Sequence, residues 1–210
     1  MQQLDEIADR VQQAFEARME ARDKALAQAR TLTRHCANAI RAIHREEHTL
    51  AQSHLDEARH LAASLYTNLA NFPDIYYAGY TQDALKEFAE ANLVYALIND
   101  IVLPTPEEMG LEYSTYLQGL AEAVGELRRR CLDALLHGHS RDAELLLHHM
   151  DDIYAVLVTM DYPDAITGGL RRLTDIARSI IERTRGDLTI SIRQAQLEQN
   201  MERLEKKISE

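Results

Sequence analysis

The sequence predicts an all-α protein, a single-domain bundle of about seven helices that takes up residues 1–210. The chain is rich in the helix formers Ala, Leu, Glu, Arg and Gln, and it contains only eight glycines, four prolines and no tryptophan. No segment alternates apolar and polar residues over a useful length, so no sheet is expected. The connections are short and free of low-complexity sequence, which favours one bundle.

The first predicted helix is unusually long. Residues 4–46 contain neither proline nor glycine and keep an apolar repeat of helical period. Because apolar residues that share one face of a helix pack against the core, one stripe is predicted to be buried. Its members are Ala25, Ala29, Leu32, Cys36, Ala39, Ile40 and Ile43.

Six further helices are bounded by loop and breaker residues. The second, 48–71, stops at Phe72-Pro73-Asp74, and the third, 81–101, starts at Thr81 as its candidate cap and ends before Pro104. Glycines or prolines close the fourth and fifth helices, and Gly186-Asp187 is predicted to separate the sixth from the last. These four helices are predicted at 113–136, 142–160, 170–185 and from there to Lys207.

Composition also restricts the class of function and the compartment. A formal net charge of −11 argues against a generic nucleic-acid-binding surface, because phosphate binding requires positive potential. Cys36 and Cys131 lie in helical patterns without metal-ligand spacing, which indicates buried free thiols in a reducing compartment. The charged N-terminal segment contains no apolar run, so a cytoplasmic protein without a membrane interaction is expected.

Two acidic pairs are the strongest candidates for chemistry. Glu87 and Glu90 are three residues apart and Glu122 and Glu126 are four apart, so each pair places two carboxylates on one face of a helix. The wheel of residues 81–101 turns Glu87 and Glu90 toward the packed side, where a carboxylate needs a cation, an arginine or a proton. If the two helices face each other, the four carboxylates can hold a hard divalent cation. Salt bridges to Arg128 or Arg129 are the alternative interpretation.

The first helix also carries a basic stripe. Residues 18–45 contain seven basic residues and two acidic ones, a local charge of +5. Arg30, Arg34, Arg41 and Arg45 fall within about 60° of one another on the helical wheel. Arginine suits phosphate because its planar guanidinium offers two donors to the oxygens and keeps its charge. The stripe is therefore either a polyanion-binding surface or a solvated face paired with acids of neighbouring helices.

Other enzyme classes have little support in the residues. A di-iron bundle needs two Glu-x-x-His pairs, and only Glu57 with His60 fits that pattern here. No serine lies in a glycine-rich elbow, and no glycine loop cradles phosphate.

Four segments together resemble the translin family, and specifically its archaeal and bacterial members. They are RHCANAIRAIHREE, FPDIYYAGYTQDALKEFAEANLVYALI, YLQGLAEAVGELRRRCLDAL and MDYPDAITGGLRRLTDIARSIIERTRGDLT. They occur in the family's order, and the resemblance extends from about Arg18 to Gln194. It implies a seven-helix fold and assembly into octamers that enclose nucleic acid.

The resemblance extends to the catalytic branch of that family. Translin itself binds single-stranded RNA and DNA, whereas translin-associated factor X is similar in sequence and is the catalytic subunit of a magnesium-dependent endoribonuclease. Its E-x-x-E motif corresponds here to Glu87-Phe88-Ala89-Glu90, and its Gly-x-Ala-acid-x-x-Gly-Glu motif to residues 119–126, with Glu122 and Glu126 as the acids. Glu122 stands where that branch usually has aspartate, and residues 78–81 lack the basic and histidine residues of translin.

The sequence therefore predicts a nucleic-acid-binding protein that cleaves single-stranded RNA inside an oligomeric shell. Mg²⁺, with Mn²⁺ as the alternative ion, is expected at Glu87, Glu90, Glu122 and Glu126, which are also the predicted catalytic residues. Arg30, Arg34, Arg41 and Arg45 are expected to bind the backbone of RNA, and of DNA as a second ligand. A homo-oligomer, expected to be an octamer, completes the prediction. The alternative is an oligomer that binds single strands without cleaving them.

Overall fold

A computed structural model describes residues 2–209, and in that range it contains nine helices and no strand. This confirms the all-α class. Six helices are long and three are single turns. Their bounds are α1 Gln2–His44, α2 His48–Asn68, α3 Pro73–Tyr76, α4 Gly79–Ile98, α5 Pro106–Met109, α6 Tyr113–Leu136, α7 Ser140–Leu157, α8 Asp164–Thr167 and α9 Leu170–Ser209.

The described residues group into two compact units. The first contains the chain up to Asn92 together with Pro104–Gly119, and the second contains Leu93–Leu103 and the chain from Leu120 onward. The single domain that the sequence predicts stays a prediction. No helix within residues 2–209 combines the length and apolar character that crossing a membrane requires.

Helix α1 confirms the predicted stripe and adds a second feature. All seven predicted stripe residues are buried, and Ala42 joins them. The same helical face continues toward the N terminus, because a turn of 100° per residue places Leu4, Ile7, Val11 and Phe15 in line with the stripe. There it is exposed, and residues 2–20 bury no side chain. About the first half of α1 therefore extends beyond the packed part of its unit.

The helix break predicted at Gly186-Asp187 is wrong. One helix runs through this position, from Leu170 to Ser209. Glycine costs about 1 kcal/mol in a helix interior, which is a small penalty beside the burial of a packed face. Such a face continues across the glycine, since Ile181, Thr184 and Leu188 are all buried. Tertiary packing therefore outweighs the local preference for a break.

The tyrosine-rich segment after α2 is more ordered than predicted. Instead of a loop up to Thr81, Pro73 starts the short helix α3, and α4 begins at Gly79. Thr81 is thus inside α4 and not at its cap. Its buried hydroxyl donates a hydrogen bond to the carbonyl of Ile75 at 2.9 Å, so it ties α4 to α3.

Candidate metal and nucleic-acid-binding site

Helix α4 carries the first acidic pair in an almost fully packed environment. Ala84, Phe88, Ala91 and Val94 are buried on one side of the helix, and Asn92 and Ala89, which lie outside that side, are buried as well. Glu90 keeps only 9% of its surface exposed, and the Glu87 side chain keeps 31%. Both carboxylates therefore lie in a partly desolvated setting, in which a charged group requires compensation.

Gly119 lets α6 approach α4 closely. A Cβ atom at this position would lie 2.6 Å from Cβ of Ala89, 2.9 Å from the backbone nitrogen of Glu90 and 2.9 Å from the carbonyl oxygen of Lys86. No side chain fits there, because real Cβ contacts are longer. The first glycine of the Gly-x-Ala-acid-x-x-Gly-Glu motif thus has a packing role beside Glu90.

One helical turn beyond Gly119, Glu122 completes a group of three carboxylates. Glu87, Glu90 and Glu122 each offer one oxygen, and these oxygens all lie within 4.8 Å of one another. Helix α6 is continuous from Tyr113 to Leu136, so the close approach at Gly119 also fixes where Glu122 lies. Two stretches separated by more than 30 residues in sequence therefore contribute to one acidic group.

The chemistry of this group fits a hard divalent cation. Carboxylate oxygens are the protein ligands that Mg²⁺ and Mn²⁺ prefer. Around a Mg²⁺ ion with ligands at about 2.1 Å, opposite oxygens are roughly 4.2 Å apart. Oxygens within 4.8 Å of one another therefore need only small side-chain adjustments to share an ion.

Glu126, the fourth predicted acid, is not among the oxygens of this group. Its carboxylate lies 3.8 Å from a guanidinium nitrogen of Arg129, one turn along α6. This is the kind of salt bridge that the alternative interpretation of the acids expected. Arg128 is engaged elsewhere, with Asp187 at 2.8 Å and the Thr184 hydroxyl at 2.9 Å.

Two neighbours of the acids were not predicted from the sequence. Nζ of Lys86 lies 3.7 Å from a carboxylate oxygen of Glu87, and the lysine side chain is only 16% exposed. The Cys36 thiol lies in the field of the same acids: burial, and then the charges of Glu87 and Glu90, raise its pKa. Cys36 therefore stays protonated, which makes it unsuited to bind a metal ion as thiolate.

The four predicted arginines of α1 all have exposed side chains. Within the described residues, Arg30, Arg34 and Arg45 have no ion-pair partner, and Arg41 donates a hydrogen bond to the Asn38 amide oxygen. At 1.5 Å per residue, Arg30 and Arg45 are about 22 Å apart along the helix. In the described part of the chain, the four arginines therefore form no salt bridges with acids of neighbouring helices.

The fold and the acids define an all-α protein with a candidate divalent-metal site, and the comparisons narrow this class. No protein-family model matches the sequence. The uncharacterized protein MJ0175 of Methanocaldococcus jannaschii is 32% identical over 186 residues, which cover 88% of this chain and 82% of that protein.

The fold is also similar to that of solved structures of named proteins. A structure of AfC3PO in complex with duplex RNA is 30% identical, with a TM-score of 0.78 over 90% of this chain and 96% of that one. AfC3PO in a separate crystal structure is 29% identical, with a TM-score of 0.79 over the same shares. Apo-NeC3PO shares the fold, with a TM-score of 0.81 over 88% of this chain and 96% of that one. Its sequence is 21% identical. The C3PO structures are translin-family complexes, and the chain belongs to this family, as its sequence motifs predict.

Proposed function

We propose that this protein binds RNA and is a Mg²⁺-dependent endoribonuclease of the translin family that cleaves single-stranded RNA within a homo-oligomer. The observation that carries the catalytic part is the convergence of Glu87, Glu90 and Glu122, whose oxygens lie within 4.8 Å of one another. These are also residues at which the sequence resembles the catalytic branch of the family.

RNA as the ligand is supported by the comparison and by the arginine stripe. AfC3PO, a relative over most of the chain, forms a complex with duplex RNA. Exposed arginines spaced along α1 provide guanidinium donors for successive phosphates over about 22 Å. Contacts to phosphates carry little sequence information, so weak sequence preference and binding of single-stranded DNA are expected as well.

In the proposed reaction the chain's carboxylates would hold the metal ion that acts on the scissile phosphate. When bound, Mg²⁺ supplies a Lewis acid that activates water and offsets negative charge on the phosphate. Glu87, Glu90 and Glu122 are the proposed ligands, and Glu126 is the supporting acid one turn along α6. Lys86, beside Glu87, offers a positive charge at the same place.

Assembly into a homo-oligomer is supported by two exposed apolar faces. One is the continuation of the α1 stripe at Leu4, Ile7, Val11 and Phe15. The other is on the last turns of α9, where Leu197, Met201, Leu204 and Ile208 follow a heptad-like spacing and are more than half exposed. Such faces are typical of contacts with further copies of a chain. An octamer is the proposed state.

The overall charge links assembly to RNA binding. At a net charge of −11, the outer surface of a monomer repels a polyanion, whereas an enclosure lined by the arginine stripe attracts it. We therefore expect a dissociated monomer to bind RNA much more weakly than the oligomer.

A protein that binds RNA without cleaving it is the second candidate function. The contact of Lys86 with Glu87 favours it, because a lysine can neutralise part of the acidic group without a metal ion. So does Glu122, whose side chain is one methylene longer than the aspartate usual in the catalytic branch.

Incubation of end-labelled RNA with the protein distinguishes these functions. Single-stranded and duplex RNA of the same sequence are compared in Mg²⁺ and in EDTA, with binding followed in parallel. The proposal expects fragments of the single strand in Mg²⁺ and intact RNA in EDTA. Binding without fragments in either buffer would instead support the non-catalytic candidate.

Replacement of both Arg30 and Arg34 by glutamine is expected to weaken RNA binding about tenfold at moderate salt. Each phosphate contact releases about one counterion on binding. Loss of two contacts should therefore reduce the magnitude of the slope of log K against log salt by about 2. Fluorescence anisotropy of labelled RNA over a salt series measures both quantities.

The matched control replaces Arg183 and Arg193 on α9, which are also exposed and change the net charge equally. It should affect binding only slightly. Equal losses in both double variants would mean that net charge, and not the stripe, determines affinity.

A further inference from the structure

The first unit contains a second candidate site that the proposed function does not use. A cavity of about 600 Å³ opens between α2, the α3 turn and the segment around α5. None of the candidate metal ligands or stripe arginines lines it. Its walls combine tyrosines, glutamates and small apolar side chains, a mixture that suits an organic cation with an apolar body.

Tyrosine rings form one wall of the cavity. The rings of Tyr66 and Tyr76 pack edge to face with centroids 5.7 Å apart, and Tyr76 packs in the same way on Tyr77 at 5.2 Å. Tyr66 is 65% exposed although it is held by this contact. The negative face of such a ring attracts a cation within about 6 Å of its centre.

Carboxylates on the opposite side give the cavity its charge. Glu107, Glu108 and Glu112 line it, and Arg59 is the one basic residue among its lining residues. The Tyr113 hydroxyl donates a hydrogen bond to Glu107 at 2.7 Å, which lowers the pKa of that glutamate and keeps it ionised. Glu112 accepts a hydrogen bond from the Tyr77 hydroxyl at 3.1 Å. Glu107 and Glu112 are therefore held in place by phenols.

The Tyr76 hydroxyl is the second, independent indication of a ligand. Tyr76 is only 7% exposed and lines the cavity, yet within the described residues its hydroxyl has no hydrogen-bond partner. Burial, and then the charge of Glu112, raise the pKa of Tyr76 to about 12, so this group is a neutral phenol. This hydroxyl is therefore an open hydrogen-bond acceptor on a largely buried side chain, and a bound ammonium group would donate a hydrogen bond to it.

We propose that this cavity binds a linear aliphatic polyamine, with its ammonium groups at Tyr66, Tyr76 and the glutamates. The apolar surface of Ala62, Ala63 and Met109 would contact the methylene chain. RNA is a poor candidate for this cavity because three carboxylates repel its phosphates. The site is separate from the glutamate group on α4 and α6, and does not depend on the proposed nuclease activity.

Titration calorimetry of the full-length protein with spermidine tests the proposal. Saturating Mg²⁺ is present throughout, so that the α4 and α6 acids do not compete for the amine. We expect one saturable site per chain. Affinity should fall about tenfold in Tyr66→Ala and in Glu112→Gln, and severalfold in Tyr76→Phe, which removes only the hydroxyl.

The matched control is Glu57→Gln, an exposed acid of α2 that does not line this cavity. It should bind spermidine as the wild type does. Loss of affinity in the control equal to that in Glu112→Gln would show non-specific attraction to an acidic protein and overturn the proposal. So would the absence of a saturable phase with the wild-type protein.

Discussion

A change of Glu90 to glutamine is expected to lower Mg²⁺-dependent RNA cleavage at least about a hundredfold, which is typical for removal of one charge-stabilising group from an active site. Glutamine keeps the shape of the side chain but loses the negative charge, and Glu90 is the most buried of the three acids that converge. RNA binding should change little, because the arginine stripe is untouched. Single-turnover cleavage rates and anisotropy measured on the same preparation check both statements.

Asp83→Asn is the control for this prediction. Asp83 is on the same helix, exposed and outside the acidic group, so its variant should cleave RNA at the wild-type rate. Thermal unfolding in EDTA shows whether Glu90→Gln remains folded. If a folded Glu90→Gln protein retained cleavage within a few-fold of wild type, the acids would not form the active site.

Gly119→Ala is expected to destabilise the protein by about 1–3 kcal/mol, the usual cost of overpacking a close contact. For a chain of this size that loss corresponds to a melting temperature roughly 2–12 °C lower. The new Cβ would lie 2.6 Å from Cβ of Ala89 and 2.9 Å from backbone atoms of Lys86 and Glu90, which cannot move aside without shifting α4. Cleavage should fall as well, because this contact positions Glu122 beside the other acids.

Gly125→Ala provides the matched comparison in the same helix. A Cβ at Gly125 would meet no atom within 4 Å, so only the helix preference of alanine acts, and stability should rise by about 0.5–1 kcal/mol. Denaturant unfolding of both variants measures the difference. Equal effects of the two substitutions would contradict the close approach of α6 to α4 at Gly119.

Much of the fold follows from periodicity in the sequence. Helical spacing of small and apolar residues identifies the buried stripe of α1 from Ala25 to Ile43, and every predicted member is buried. The same spacing places Glu87 and Glu90 on the packed side of α4. Such predictions succeed because a helix that packs against a core must repeat its apolar residues about every 3.6 positions.

What the sequence does not predict depends on tertiary contacts. Gly186 has a local preference against helix, but Ile181 and Leu188 are packed on either side of it. The helical spacing predicts the same role for Glu122 and Glu126. In the structure only Glu122 lies in one group with Glu87 and Glu90. The proximity of Lys86 to Glu87 depends on rotamers that adjacency in sequence does not fix. Gly119 belongs to a recognisable motif, but the motif does not reveal its packing role. That role follows from the contact with Ala89 on α4.

Anomalous diffraction from crystals soaked in Mn²⁺ tests the proposed metal site most directly. We predict an anomalous peak about 2.2 Å from oxygens of Glu87, Glu90 and Glu122, lost in Glu90→Gln crystals soaked in the same way. A map without a peak at that position, in which the Lys86 amine contacts the three carboxylates instead, would contradict the proposed metal site and leave an RNA-binding protein without catalysis.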